Sequence, residues 1–284
     1  MTQQTENPLT YSPRDFLQEI CQEENIQFES LSHDYIGRLT KGGVTRHVLW
    51  SNWDINNAAA DRIACDKCAC YTVLSLCGVP AIPHYLLQHP VRRKGWTGEK
   101  GTWTQALEYF NNFGQNVVIK PNLGTNGQNI HHCDTVQALE TAVQAIFENN
   151  PDAAISPFYK IQTEYRVFYV NGNCPLVYGK TPSEDNWRHN LSQGAAAFEL
   201  DSEKDKEKLE KLKALAAKAA NAISINFATI DVAELENGEF AIMEINSGVQ
   251  ARQLLEQKPH LRPVIKNIYA AAVQGMFEKT ADTP

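Results

Sequence analysis

Near the C-terminal end of the chain, two carboxylates and an amide are spaced as a cation site would need them. Asn237-Gly238 is a two-residue turn signal between apolar-alternating runs at 227–235 and 239–246. Counting outward from that turn pairs Glu236 with Glu239 and sets Asp231 directly opposite Glu244. Side chains alternate across a strand, so Asp231, Glu244 and Asn246 share one face, and Ile230, Val232, Met243 and Ile245 form an apolar set on the other. Like charges directly opposite each other destabilise a ladder by up to roughly 1 kcal/mol. Two carboxylates there, beside an amide oxygen, call for something positive between them. Hard oxygen ligands of this kind suit Mg2+ held together with substrate phosphates, the alternative being a solvated face whose acids happen to align.

Positive groups stand elsewhere. The run 117–121, Val-Val-Ile-Lys-Pro, reads as a buried strand delivering Lys120 at its end, and Asn122-Leu123-Gly124-Thr125-Asn126-Gly127-Gln128 follows at once. Glycines let backbone N–H groups approach phosphate oxygens, and Thr125 and Asn126 add donors. The pattern is neither a Walker A loop nor a Rossmann fingerprint, since the lysine precedes the loop and no helix starts within it. Lys67, after Asp66 at a helix start, is a second cation, and Arg188 and Asn190 sit in a polar loop before Gly194. Each alone is weak. Together with the acidic hairpin they describe a polyphosphate site. Seven cysteines in no disulfide-framework spacing suit a reducing compartment. Cys65, Cys68 and Cys70 lack a fourth ligand at zinc-like spacing, and His131, His132 and Cys133 are adjacent, so structural thiols are expected.

The elements that must position these groups follow from punctuation and periodicity. Ser12-Pro13-Arg14-Asp15 starts a helix. A hairpin over 35–39 and 44–50 turns on Gly42-Gly43, and residues 57–77 read as helix ended by Gly78. Helices are expected over 104–113, 135–147, 202–223 and 263–277, with strands at 116–120 and 153–158. A further hairpin, 164–170 with 174–180, turns on Asn171-Gly172. Hairpins interleaved with helices imply an α+β architecture, not a doubly wound parallel sheet. The expected divisions are a short N-terminal segment over 1–57, linking helices over 58–102, a small subdomain with the glycine loop over 103–160, and a larger one with the metal hairpin over 161–284.

Bulk properties exclude other classes. A net charge of −7 and a pI near 5.6 argue against a nucleic-acid surface. No apolar run reaches the ~20 residues that span a bilayer, and residues 1–9 lack the basic start and apolar centre of a signal peptide. A soluble, cytoplasmic protein with no membrane partner is expected.

The order of these pieces resembles the ATP-grasp superfamily over about residues 58–255. The run is Asp66-Lys67, Val118-Ile119-Lys120-Pro121 with its loop, Glu164-Tyr165-Arg166-Val167, Trp187-Arg188-His189-Asn190 with Gly194, Asp231-Val232-Ala233, and Met243-Glu244-Ile245-Asn246. The nearest likeness is to ribosomal-protein glutamate ligases and the ligase domains of cyanophycin synthetase and bifunctional glutathione synthetase. This resemblance implies two α+β subdomains gripping ATP. It places Lys67 and Lys120 on ATP phosphates, with Gly124, Thr125, Asn126 and Gly127 covering them and Asn190 in the same site. Ser156, Phe158 and Tyr159 fall in the hinge whose backbone reads adenine, and Glu164 on the ribose. Lys180 and Arg188 neutralise the transferred phosphate and the oxyanion, while Asp231, Glu244 and Asn246 hold Mg2+, or Mn2+ in its place. The implied activity joins a carboxylate to an amine through an acyl phosphate. Rival readings are a phosphotransferase, which leaves phosphate on its acceptor, and a non-catalytic ATP-binding module.

The chain departs from the resembled group at Ser156-Pro157 in the hinge, in its shorter N-terminal part, and at Ser247-Gly248-Val249-Gln250, which lacks a nearby proline. Arg166 either holds an acidic substrate or pairs with an acid such as Glu164. Gln250 and Arg252 are further candidates for substrate contact. Substrate identity stays open, with small molecules and peptides both in view, and the resemblance offers a homodimer through the terminal helix.

Overall fold

The computed structural model describes residues 11–93, 95, 99–124, 127–182 and 190–278. Helix α1 (Pro13–Glu23) leads into strands β1 (Gln27–Leu31), β2 (Ile36–Lys41), β3 (Val44–Leu49) and β4 (Asn52–Trp53). Next come α2 (Ala58–Cys65), α3 (Lys67–Leu76), β5 (Tyr85–Gln88), α4 (Thr102–Asn112), β6 (Val117–Pro121), β7 (His131–Cys133), α5 (Val136–Asn149) and β8 (Asp152–Pro157). The remainder is β9 (Ile161–Val170), β10 (Asn173–Thr181), β11 (Ala196–Glu199), α6 (Lys206–Ile223), β12 (Phe227–Leu235), β13 (Phe240–Asn246), α7 (Arg252–Gln257) and α8 (Arg262–Glu278). Among the described residues the strands form three antiparallel sheets, ordered β1-β2-β3-β4, β5-β8-β6-β7 and β11-β10-β9-β12-β13. This is the α+β architecture the interleaved hairpins predict.

The five-stranded sheet uses its two faces differently. One face, carrying Tyr165, Val167, Ala228, Ile230, Val232 and Ile245, is sealed by α6 together with α2 and α3. The other face divides along its length. At one end Phe168, Val170, Tyr178 and Phe227 join Phe16, Trp53, Ile55 and Tyr269 in a second core. At the other end the same face carries Glu164, Arg166, Lys180, Asp231, Glu244 and Asn246, which follows from period-two alternation along β9, β10, β12 and β13. The four-stranded β5–β8 sheet buries Val117, Ile119, Ala153 and Ile155 against α4 and α5. Val118, Lys120, Ala154 and Ser156 therefore line its opposite face.

Several expectations need correction. The predicted helix over 57–77 is broken at Asp66, whose extended backbone (ψ 107°) ends α2 while its side chain accepts from Ala69 N and caps α3. The 58–102 stretch supplies more than helices. Residues Pro80 and Ile82 exchange backbone hydrogen bonds with Ile242, and β5 then becomes an edge of the small sheet. The hairpin expected over 35–39 and 44–50 is present as β2 and β3, and β1 and β4 extend it to a four-stranded meander that leans on the rest: Asn56 Oδ1 accepts from the backbone N–H groups of Asn226 and Phe227, each at 2.9 Å. The cysteines are free; Cys68, Cys70 and Cys133 are buried thiols and Cys65 is exposed. Among the described residues no three His, Cys, Asp or Glu side chains form a metal cage, and no helix is long and apolar enough to cross a membrane.

Candidate active site

Asp231 does stand opposite Glu244, though not by the route the turn signal suggests. The loop holds three residues, Glu236, Asn237 and Gly238, closed by a Leu235 N to Glu239 O bond, with Gly238 at φ 79°. Val232 therefore pairs with Ile242, Ala233 with Ala241 and Glu234 with Phe240. A bulge at Met243 then shifts the register by one residue and restores the Asp231–Glu244 pair. The bulge also replaces Met243 by Ile242 in the core, where Ile242 is buried and Met243 only half-buried.

Asp231 is the hub of a buried charge network. Arg166, its cross-strand neighbour on β9, donates from Nε to Oδ1 at 2.7 Å and from Nη2 to Oδ2 at 2.6 Å. Lys180 Nζ donates to Oδ1 at 2.9 Å, and Asn246 Nδ2 to Oδ2 at 3.3 Å. Lys180 also pairs with Glu164, directly across the β9–β10 ladder. Burial pushes the Asp231 carboxyl up, but the Arg166 and Lys180 charges outweigh it and hold the group well below the usual carboxylate range. Burial and Arg166 pull Lys180 down, yet Asp231 and Glu164 leave its pKa above the ordinary lysine value. Arg166 pairs with an acid in this structure, and that acid is Asp231, not Glu164. Glu244, by contrast, makes no hydrogen bond or ion pair among the described residues.

The small sheet and α3 bring the other lysines. Lys67 begins α3, is 8% exposed, and donates from Nζ to Gly124 O at 2.8 Å. Asn122, buried at the start of the loop, ties it to the helix: its Oδ1 accepts from Cys68 N at 3.1 Å and its carbonyl from Lys67 N at 3.4 Å. Lys120 lies half-buried. Desolvation, then the Lys67 charge, bring its pKa down to about 8, while Glu244 and Glu164 act the other way. Lys67, Glu164 and Glu244 thus each lie within electrostatic reach of Lys120, which joins the small sheet to the acidic hairpin.

Gly127, at φ 67°, is so close to Asn190 that a Cβ there would meet Asn190 Oδ1 at 2.8 Å, and Gln193 Nε2 donates to Gly127 O at 3.3 Å. Gly127 and Asn190 therefore lie side by side. Thr125, Asn126 and Arg188 lie outside the described residues. In the expected hinge, at the end of β8, Ser156 is buried and donates to Pro157 O at 3.3 Å. Phe158 N donates to Asn116 O at 2.9 Å and its ring stacks on His132 at 4.1 Å. With no N–H on Pro157 and that of Phe158 committed, Tyr159 holds the next backbone donor along the hinge.

One site residue carries no sequence signal. His84 is 4% exposed, its Nδ1 lies 2.9 Å from Ile82 O, and its Nε2 is buried with no hydrogen-bond partner among the described residues. Burial first, then the charges of Lys120 and Lys67, drive its pKa well below the ordinary histidine value. A neutral ring donating from Nδ1 therefore leaves an acceptor at Nε2 in the region of the two lysines. Nothing in Ile82-Pro83-His84 separates it from an ordinary loop histidine.

Lys120 near the end of β6 and Lys67 at the start of α3 thus lie toward the carboxylates of the five-stranded sheet. Residues 64–260 match the RimK-like ATP-grasp domain, and the chain belongs to that family. It is 27% identical over 150 residues to "Alpha-aminoadipate--LysW ligase LysX" of Saccharolobus solfataricus, an alignment covering 50% of this chain and 51% of that one. It is 25% identical over 150 residues to "Tetrahydromethanopterin:alpha-L-glutamate ligase" of Methanocaldococcus jannaschii, covering 50% and 48%. The chain thus spans about half the length of the curated relatives it matches. The ATP-grasp fold is shared with the crystal structure of D-alanyl-alanine synthetase A from Vibrio cholerae, at TM-score 0.64 and 12% identity over 93% of both chains.

Proposed function

We propose that this chain is a Mg·ATP-dependent carboxylate–amine ligase that forms an amide or peptide bond through an acyl phosphate. The observation that carries the reading is the gathering of Lys67, Lys120, Lys180 and Arg166 around Glu164, Asp231 and Glu244 at the junction of two sheets. Such a cluster suits phosphoryl transfer, where catalysis is positioning plus electrostatic stabilisation. The printed names of both curated relatives describe ligases, which favours amide formation over phosphorylation of a hydroxyl.

The substrate carboxylate oxygen attacks the γ-phosphorus, the bond to the β-phosphate oxygen breaks, and ADP leaves. Lys67 and Lys120 hold phosphate oxygens, and Lys180 faces the transferred group. The amine nitrogen then attacks the acyl carbon, the phosphate departs with the C–O electron pair and takes up the proton the nitrogen loses, and Arg188 steadies the tetrahedral oxyanion. The loop at 122–128, tied to α3 by Asn122 and backed by Asn190, closes over the site and keeps water from the acyl phosphate. Glu164 is assigned to the ribose and the Tyr159 N–H to adenine. The Glu244 carboxylate opposite Asp231, unpartnered among the described residues, fits a hard cation, so Glu244, Asn246 and Asp231 would hold Mg2+. When bound, Mg2+ supplies neutralisation of the triphosphate charge. The reaction is placed in the cytoplasm.

The test is ATP turnover with Mg2+ against amino acids and short peptides, L-glutamate and α-aminoadipate first, following ADP and free phosphate together. Acceptor-dependent release of both in equal amounts supports the ligase. ADP without free phosphate makes it a kinase, and nucleotide binding with no turnover on any acceptor makes it a binding module.

A further inference from the structure

Asp231 is fully subscribed. A carboxylate offers about four lone-pair positions, and here four donors take them: Arg166 Nε and Nη2, Lys180 Nζ and Asn246 Nδ2. Two of the three partners are cations, and Arg166 grips both oxygens in the forked geometry that matches a carboxylate best. The hairpin that suits a divalent cation therefore holds its central acid against a guanidinium and an ammonium. Glu244, across the ladder, is left open.

The charge balance sets which ligand can release Asp231. Arg166 and Lys180 already hold both oxygens of Asp231, and Lys120 acts on the same region from the small sheet. A divalent cation arriving alone is repelled by the ammonium and guanidinium on Asp231 and finds Glu244 and the Asn246 amide but no free position on Asp231. Its complex with a nucleoside triphosphate carries about two negative charges, and the phosphate oxygens give Lys180 and Arg166 other partners. Release of Asp231 and delivery of the cation are then one event.

We propose that Arg166 is a positioning residue that occupies Asp231 in the cation's stead, so that the metal enters with the nucleotide and not before it. The proposal rests on the reading of Asp231, Glu244 and Asn246 as the metal face. It concerns the order of binding, which that reading leaves open. Arg166 is fixed for the task by the ladder: Asp231 and Arg166 are register partners in the middle of the sheet, flanked by Ile230–Val167 and Val232–Tyr165 pairs whose side chains are buried on the far face.

The experiment titrates Mn2+ by electron paramagnetic resonance into the full chain, with and without a non-hydrolysable ATP analogue. Wild type is expected to bind Mn2+ at least tenfold more tightly when the analogue is present. Arg166→Gln is expected to bind bare Mn2+ at least tenfold more tightly than wild type, shrinking the dependence on nucleotide. Arg166→Lys keeps a charge but loses the fork, and it is expected to fall between the two. It also carries the test should Arg166→Gln fail to give a folded circular dichroism spectrum. Equal affinity of wild type and both folded variants for bare Mn2+ overturns the role of Arg166 while leaving the metal face intact. Absence of Mn2+ binding in every protein, analogue included, overturns the metal face itself and the proposal with it.

Discussion

Asp231 and Glu244 are register partners with opposite circumstances, and that contrast makes a sharp prediction. Asp231→Asn leaves Arg166 and Lys180 buried beside a neutral amide, so stability is expected to fall by about 3–5 kcal/mol in urea denaturation. Glu244→Gln breaks no hydrogen bond or ion pair among the described residues, and stability should hold within about 0.5 kcal/mol while ATP turnover is lost. A stability loss as large as that of Asp231→Asn contradicts this account of the pair. Lys120 gives a second prediction. Its folded pKa of about 8 lies below the 10.5 of an unperturbed lysine, so unliganded stability rises with pH between those values, where only the unfolded chain holds the proton. Phosphate contact favours the ammonium, so nucleotide affinity should fall as pH passes about 8, approaching tenfold per unit. Calorimetric titration from pH 7 to 9.5 reads this, and a flat profile removes Lys120 from the phosphate site. At this scale the acids and lysines were legible because each sits within or at the end of a patterned strand or helix. His84 was not, because its meaning comes from burial beside Lys67 and Lys120, which lie 17 and 36 positions away.

The acidic hairpin shows what element-level reading can and cannot reach. Counting from a two-residue turn gives the Asp231–Glu244 partnership only because a three-residue loop and the Met243 bulge offset each other. Both devices are backbone conformations that leave no mark in apolar/polar alternation, so the partnership was legible and its cause was not. The long hairpin of β9 and β10, by contrast, was plain in the sequence, since Asn171-Gly172 takes the positive φ values its turn requires. The clamp between β6 and α3 is testable at this scale. Asn122→Ala strips Cys68 N of its acceptor inside the protein, and a loss of about 1–2 kcal/mol is expected from thermal denaturation. Nucleotide affinity should fall alongside, because Lys67 and the glycine loop are no longer held to each other. Unchanged affinity would show that the loop finds its place without α3.

For the whole molecule, the α+β class and the grouping of the site were visible in element order, whereas the dependence of the front segment on the rest was not. Trp53 stacks on Tyr269 at 5.3 Å and meets Phe227 edge-on at 5.3 Å, so residues separated by over two hundred positions share one core. No local pattern reports such a contact. Trp53→Ala should therefore cost about 3–5 kcal/mol and loosen the end of the large sheet remote from the charged site. A cost under about 1 kcal/mol in urea denaturation would mean that the meander is a separable appendage.

The central claim is that a carboxylate is activated as its acyl phosphate between the lysines and the acidic hairpin. With the acid substrate labelled with oxygen-18 in its carboxylate, one labelled oxygen should appear in the inorganic phosphate released during amide formation. Phosphate carrying only unlabelled oxygen, with turnover otherwise normal, would contradict it.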